Sequence, residues 1–184
     1  MPDAPPAEPP GDASRPPEPD ADPASVARSI CLRMLTNRPC TRAELATELR
    51  RRHVPDDAAA AVLERLDHVG LVDDREFAAS WVERQRRTRG LGRRALAAEL
   101  RRKGVGDEDI GEAVAVVSDD DERERAAELV ARKLSSVRNL DRDKQVSRLV
   151  GMLARKGYSG GVAYAVVRAA LGDLDAALLA EPDG

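Results

Sequence analysis

Aromatic rings are what this chain has least of. One Phe, one Trp and two Tyr occur in 184 residues. Gripping single-stranded nucleic acid by base stacking takes exposed rings, so any such contact must run through phosphates or protein instead. Phe77 and Trp81, four apart on one helical face, read as core. Cysteine is almost as scarce. Cys31 and Cys40 have no second pair, and His53 and His68 do not complete a zinc spacing; both thiols read as reduced. No stretch approaches the ~20 apolar residues of a membrane helix. The start lacks the basic-then-apolar pattern of a secretory signal. A soluble, cytoplasmic protein without membrane contact is expected.

Chemistry-bearing motifs are missing too. There is no phosphate-cradling loop ending in Lys and Ser or Thr, and Gly90-Leu91-Gly92 lacks the third Gly and preceding strand of a dinucleotide site. No His-Glu-x-x-His or paired-cysteine metal pattern occurs. The two histidines fall at helix ends with no evident partner to activate a nucleophile. Asp73-Asp74 is explained by helix capping without a metal. The sequence predicts no enzyme, no cofactor and no metal site.

What is present is repetition. Leu45-x-x-x-Leu49-Arg50-Arg51-Arg52-His53-Val54 recurs as Leu96-x-x-x-Leu100-Arg101-Arg102-Lys103-Gly104-Val105, and again as Leu149-x-x-x-Leu153-Ala154-Arg155-Lys156-Gly157-Tyr158. The leucines repeat at offsets of 51 and 53 residues. That spacing holds one three-helix unit, so the chain reads as an all-α tandem array of three three-helix repeats. Ala, Leu and Val carry the apolar load, which suits thin units better than one thick core. The expected boundaries are 23–72, 73–118 and 119–172, between a Pro-rich acidic disordered tail over 1–22 and a C-terminal tail over 173–184 with a short helical turn or two at Asp173–Ala180. Thr41-Arg42-Ala43-Glu44 reads as a capping box. Asp73, Asp107 and Ser159 read as caps, Asp141 as a helix start, and Gly70, Gly104 and Gly157 as helix stops. Tyr158 and Tyr164 are expected half-buried.

Charge supplies the candidate site. The net charge of −3 conceals a window, Arg84–Lys103, that carries nine cations against Glu99 alone. Arg84, Arg87, Arg94 and Arg101 are not needed by the leucine seam and should reach solvent. Crowding so many guanidiniums is self-repulsive, which implies a polyanion or an acidic partner. Arg50, Arg51 and Arg52, with Arg155 and Lys156, sit at corresponding places, suggesting a basic stripe along the array. One class of partner for such a stripe is duplex DNA, read by a three-helix unit acting as a helix-turn-helix regulator. The candidate helices carry mostly Arg and Ala, a poor set for base readout.

From Gly70-Leu71-Val72-Asp73-Asp74-Arg75-Glu76-Phe77-Ala78 through Trp81, Arg84, Gly90, Leu96, Glu99-Leu100 and Lys103-Gly104-Val105, the chain resembles the RecX family of recombinase regulators. The resemblance covers roughly residues 24–172 and is strongest in the middle unit; the third departs, with Tyr158 in the place of Val105. It implies a curved, elongated stack. It also implies a monomeric regulator that binds the RecA filament on single-stranded DNA, inhibits its ATPase and strand exchange, and acts within recombination, repair and the SOS response. Single-stranded and possible double-stranded DNA contact would run through phosphates. Arg84, Arg87, Arg93, Arg94, Arg101, Arg102 and Lys103, with Arg50 and Arg51, are the expected contact residues. Asp73, Asp74, Phe77 and Trp81 are assigned to architecture.

Overall fold

A computed structural model of the chain describes residues 22–180, with side chains to residue 172. The expected tail over 1–22 lies outside the described residues except for Asp22, as do residues 181–184. Among the described residues there are helices and no strand. Repeat 1 is α1 (Pro23–Asn37), α2 (Arg42–Arg51) and α3 (Asp56–His68). Repeat 2 is α4 (Asp74–Arg89), α5 (Arg93–Arg102) and α6 (Asp107–Ala115). Repeat 3 is α7 (Asp119–Val137), α8 (Arg142–Arg155) and α9 (Gly160–Ala180).

Local chemistry places the helix starts. Asp22 accepts from the Ala24 and Ser25 N–H groups at α1. Thr41 and Glu44 form the expected capping box at α2. Asp73 accepts from Glu76 N–H at 2.8 Å, and Ser159 from Val162 N–H at 3.2 Å. A second capping box, Ser118 with Asp121, starts α7. Asp107 departs from expectation: Gly106 holds the cap position, and Asp107 stands one residue inside the helix, where its carboxylate takes Arg101 at 2.9 Å. The last helix also runs further than expected. The backbone of α9 continues unbroken from Gly160 to Ala180, because Gly172 is too weak a breaker to end a strongly apolar helix.

Each repeat is a triangle of helices around its own core, and the main helix–helix packings all fall within a repeat. The repeated leucines form the seam: Leu45, Leu49, Leu96, Leu100, Leu149 and Leu153 are at most 1% exposed. Burying each contributes roughly 1.5–3 kcal/mol. The three apolar clusters are separate, Ala27 to Val72, Phe77 to Val117 and Ala126 to Leu171. What joins the repeats is therefore mostly polar and is built at helix ends.

The first four N–H groups and last four carbonyls of any helix lack partners inside it. The joints use them. At the first, the C-terminal end of α5 meets the N-terminal end of α2: Thr41 Oγ1 donates to Lys103 O at 2.6 Å, and Lys103 Nζ donates to Glu44 at 2.8 Å. At the second, the C-terminal end of α8 meets the N-terminal end of α5: Gly92 N–H donates to Lys156 O at 2.8 Å and Arg94 N–H to Gly157 O at 3.3 Å. The negative end of one helix dipole thus faces the positive end of the next, a favourable order. A carboxylate from the next repeat's first helix completes each joint. Asp74 accepts from Arg42 N–H at 2.9 Å, and Glu122 from Arg93 N–H at 2.9 Å.

Close approach decides the glycines. A Cβ on Gly104 would lie 2.2 Å from Ala43 Cβ, and one on Gly157 would lie 2.3 Å from Ala95 N. Both adopt positive φ. His53 occupies the corresponding place in repeat 1 with φ 58°; it is exposed and no described repeat packs on it, so a side chain fits. Replacing Gly157 with Ala should lower unfolding stability by about 2–4 kcal/mol, combining left-handed strain with overpacking. Gly70→Ala, also at positive φ but with nothing within 4 Å of its added Cβ, should cost only ~1–2 kcal/mol. Urea titrations of the two variants side by side check this; equal losses would mean that the joint yields freely.

Candidate functional site

The basic window divides into side chains that hold the array together and side chains that leave it. Arg93 belongs to the first group. Its guanidinium bridges Asp119 and Glu122 of repeat 3, and Glu122 is 4% exposed. Lys103 is in the first group as well. It is half-buried, pairs with Glu44, and lies over the rings of Trp81 (4.5 Å) and Phe77 (5.5 Å). The desolvated ammonium thereby gains both a carboxylate and two aromatic faces. Lys156, at the same place in repeat 3, donates to Arg89 O at 2.6 Å. Burial, and the neighbouring Arg89, Arg132 and Arg125, push its pKa below the usual lysine value. The third basic position of the repeated motif thus turns inward at both joints.

The remaining candidates are exposed. Arg51 is held by Glu48 at 2.7 Å, and the Arg51 and Arg52 forks bring that carboxyl down to about 2. Arg101 pairs with Asp107, and Arg102 reaches Glu99 at 3.8 Å. Arg84 stacks over Trp81 at 4.7 Å. Arg50, Arg87 and Arg94 make no ion pair with any described residue. Arg84, Arg87 and Arg94 come from α4 and α5, on either side of the Gly90-Leu91-Gly92 turn.

Repeat 3 grips that turn. Arg125 donates to the Arg86 and Arg87 carbonyls at 3.3 and 3.0 Å. Tyr158 Oη donates to Gly90 O at 3.1 Å. The ends of α4 and α5 are therefore satisfied from outside their own repeat. Tyr158 is buried at 3% exposure, more than the sequence predicts, and Tyr164 is 55% exposed, less buried than predicted. Burial pushes the Tyr158 phenol up to about 12. Phe77 is core as expected, whereas Trp81 is only half-buried. It serves as the platform between Arg84 and Lys103.

Sequence reasoning missed the carboxylates that make the joints, Glu44, Asp74 and Glu122, by assigning them only to the starts of their own helices. One signal was available: glycine at 104 and 157 where repeat 1 has His53. Among the described residues no cluster of His, Cys, Asp or Glu could hold a metal ion, and none of their helices is long and apolar enough to cross a membrane. Cys31 and Cys40 are free and buried.

Family models for RecX match the chain three times: the first three-helix domain over residues 27–66, the second over 73–114 and the third over 120–167. The chain belongs to the RecX family. The Regulatory protein RecX of Streptomyces coelicolor is 55% identical over 154 residues, covering 84% of this chain and 82% of that protein. Regulatory protein RecX of Thermobifida fusca is 51% identical, covering 77% of each. A crystal structure of regulatory protein RecX superposes with a TM-score of 0.72 at 26% identity, over 80% of this chain and 72% of that one. RecX from Lactobacillus salivarius shares the fold at a TM-score of 0.74 and 21% identity, over 84% of this chain and 97% of that one. The family is one of regulatory proteins rather than enzymes, and its three domains coincide with the three repeats.

Glu44 sets the acid sensitivity of the first joint. Burial alone would raise its carboxyl, but bonds from Arg38, Lys103 and the Thr41 N–H outweigh that and hold it below the usual value. A depressed carboxylate contributes stability above its unfolded pKa, and the contribution is lost as pH falls through the folded value. Glu44→Gln should therefore lower stability by about 1–2 kcal/mol at pH 7. The gap to the parent should close below the ordinary glutamate value of 4.5. Thermal melts of both proteins across that range check it; a gap independent of pH contradicts the assignment.

Proposed function

We infer that this protein binds the RecA recombinase filament on single-stranded DNA and restrains its ATPase and strand-exchange activity, within recombination, repair and the SOS response. Family membership supports the reading. The observation that carries it is the exposed set Arg84, Arg87 and Arg94, which has no carboxylate partner among the described residues, whereas Arg89, Arg93 and Arg101 nearby are each paired. Such a set, on an array of repeats held in fixed order, suits contact with a periodic anionic assembly. Bridging neighbouring protomers would hinder the relative movement that each nucleotide turnover requires. With so few rings, contact runs through phosphates and acidic side chains.

Arg93 and Lys103 act in this reading by holding the repeats in register. Arg101, Arg102 and Arg51, already neutralised by carboxylates, contribute less than Arg84, Arg87, Arg94 and Arg50. In an assay of RecA ATP hydrolysis on single-stranded DNA, substoichiometric protein should inhibit turnover. Arg84→Ala/Arg87→Ala/Arg94→Ala should need at least several-fold more protein for the same inhibition, with helical circular dichroism kept. No inhibition by excess parent protein would remove the proposal.

A further inference from the structure

The third repeat presents a joint face that no described residue of another repeat fills. In repeat 1 the receiving face of α2 carries Ala43, Glu44 and Glu48, and the Lys103-Gly104 turn occupies it. In repeat 2 the corresponding residues are Arg94, Ala95 and Glu99, and Gly157 packs on Ala95. In repeat 3 the same count gives Ser147, Arg148 and Met152. No further described repeat docks there. A cleft of about 450 Å³ remains between α7 and α8, lined by Lys133 and Ser136 from one side and by Ser147, Arg148, Met152 and Arg155 from the other.

Its charge is reversed relative to the first joint, and it lacks the glutamate that both filled joints carry. Arg148 stands where Glu44 accepts Lys103. Met152 stands where Glu48 holds Arg51 at 2.7 Å and Glu99 reaches Arg102 at 3.8 Å; Arg155, the counterpart of those arginines, is thereby left without a carboxylate. Lys133, Arg148 and Arg155 make no ion pair among the described residues, and no acidic side chain lines the cleft. Ser136 donates to Lys133 O at 2.7 Å, while Ser147 has no such bond. Three uncompensated cations around one concavity repel each other and focus a positive potential. Two guanidinium forks, an ammonium and a hydroxyl form a donor set suited to phosphate oxygens. A second copy docking through the end of its repeat 1 would bring Arg52, the counterpart of Lys103, against Arg148, so the face opposes self-association.

We propose that this open joint face of repeat 3 is a binding site for the backbone phosphates of a nucleic-acid strand. The inference does not depend on the recombinase reading and is tested without the recombinase. The probe is a labelled oligothymidylate, titrated with the full chain by fluorescence anisotropy over a range of salt. Lys133→Gln/Arg148→Gln/Arg155→Gln should weaken binding at least tenfold at about 0.1 M salt. Its slope of log affinity against log salt should fall by about 2, the loss of three phosphate contacts on a single strand. The comparison variant Arg75→Gln/Arg123→Gln/Lys144→Gln removes equal charge from surface ion pairs and should change affinity less than threefold. Equal losses in both variants, or an unchanged slope in the first, overturn the site. So does displacement by polyglutamate as effective as by oligothymidylate at equal charge, or a dimer in sedimentation that Arg148→Gln abolishes. Should the triple variant lose helical content, Arg148→Gln alone must still lower the salt slope.

Discussion

Everything in this molecule depends on helix ends that cannot satisfy themselves. Each repeat closes its own apolar core, so little hydrophobic driving force is left to hold one repeat against the next. Instead, the middle helix of one repeat presents its terminal carbonyls to the start of the middle helix before it, to the Thr41 hydroxyl at α2 and to the Gly92 and Arg94 N–H groups at α5. The match is obligatory at α5. That helix starts at Gly92 with no side-chain cap of its own, and the N–H groups of Gly92, Arg93 and Arg94 all find acceptors in repeat 3. Unmade, those bonds would leave buried donors, which costs far more than an average hydrogen bond contributes.

The same joints sort the arginines and lysines. A cation at the end of α5 or α8 sits among another repeat's carbonyls and carboxylates, where it is drawn inward. Those one or two residues earlier stay in solvent. A motif that looks like one uninterrupted basic run is thus divided by position within the helical turn. Part of it fixes the geometry of the array, and part of it is available to a partner. Electrostatics and architecture are not separable here, because the first group determines where the second one points.

Much of this was legible from residues alone. The leucine pairs, the Thr41 capping box and the helix-stopping glycines are local signals that gave the all-α repeat, and the Arg84–Lys103 charge window gave the exposed arginines; the second box, Ser118 with Asp121, was not read. What was not legible is long-range. Nothing in the sequence near Glu122 says that its carboxylate closes a helix some thirty residues earlier; four acids in a row at a helix start look equivalent until the neighbouring repeat selects one. Tyr158 likewise stands where Val105 stands. Only the Gly90 carbonyl explains the added hydroxyl. Trp81 was read as core because it shares a face with Phe77, yet the cation above it keeps one side of the ring in use.

His53 has a consequence for how the array could be lengthened. Its backbone already has the left-handed turn that docks elsewhere, but its imidazole stands where a neighbour would have to be. A fourth unit grafted in front and docking as the others do would be refused until position 53 lost its Cβ too, as Gly104 and Gly157 have none. Docking competence at this turn is therefore decided by the side chain it carries, and not by its backbone.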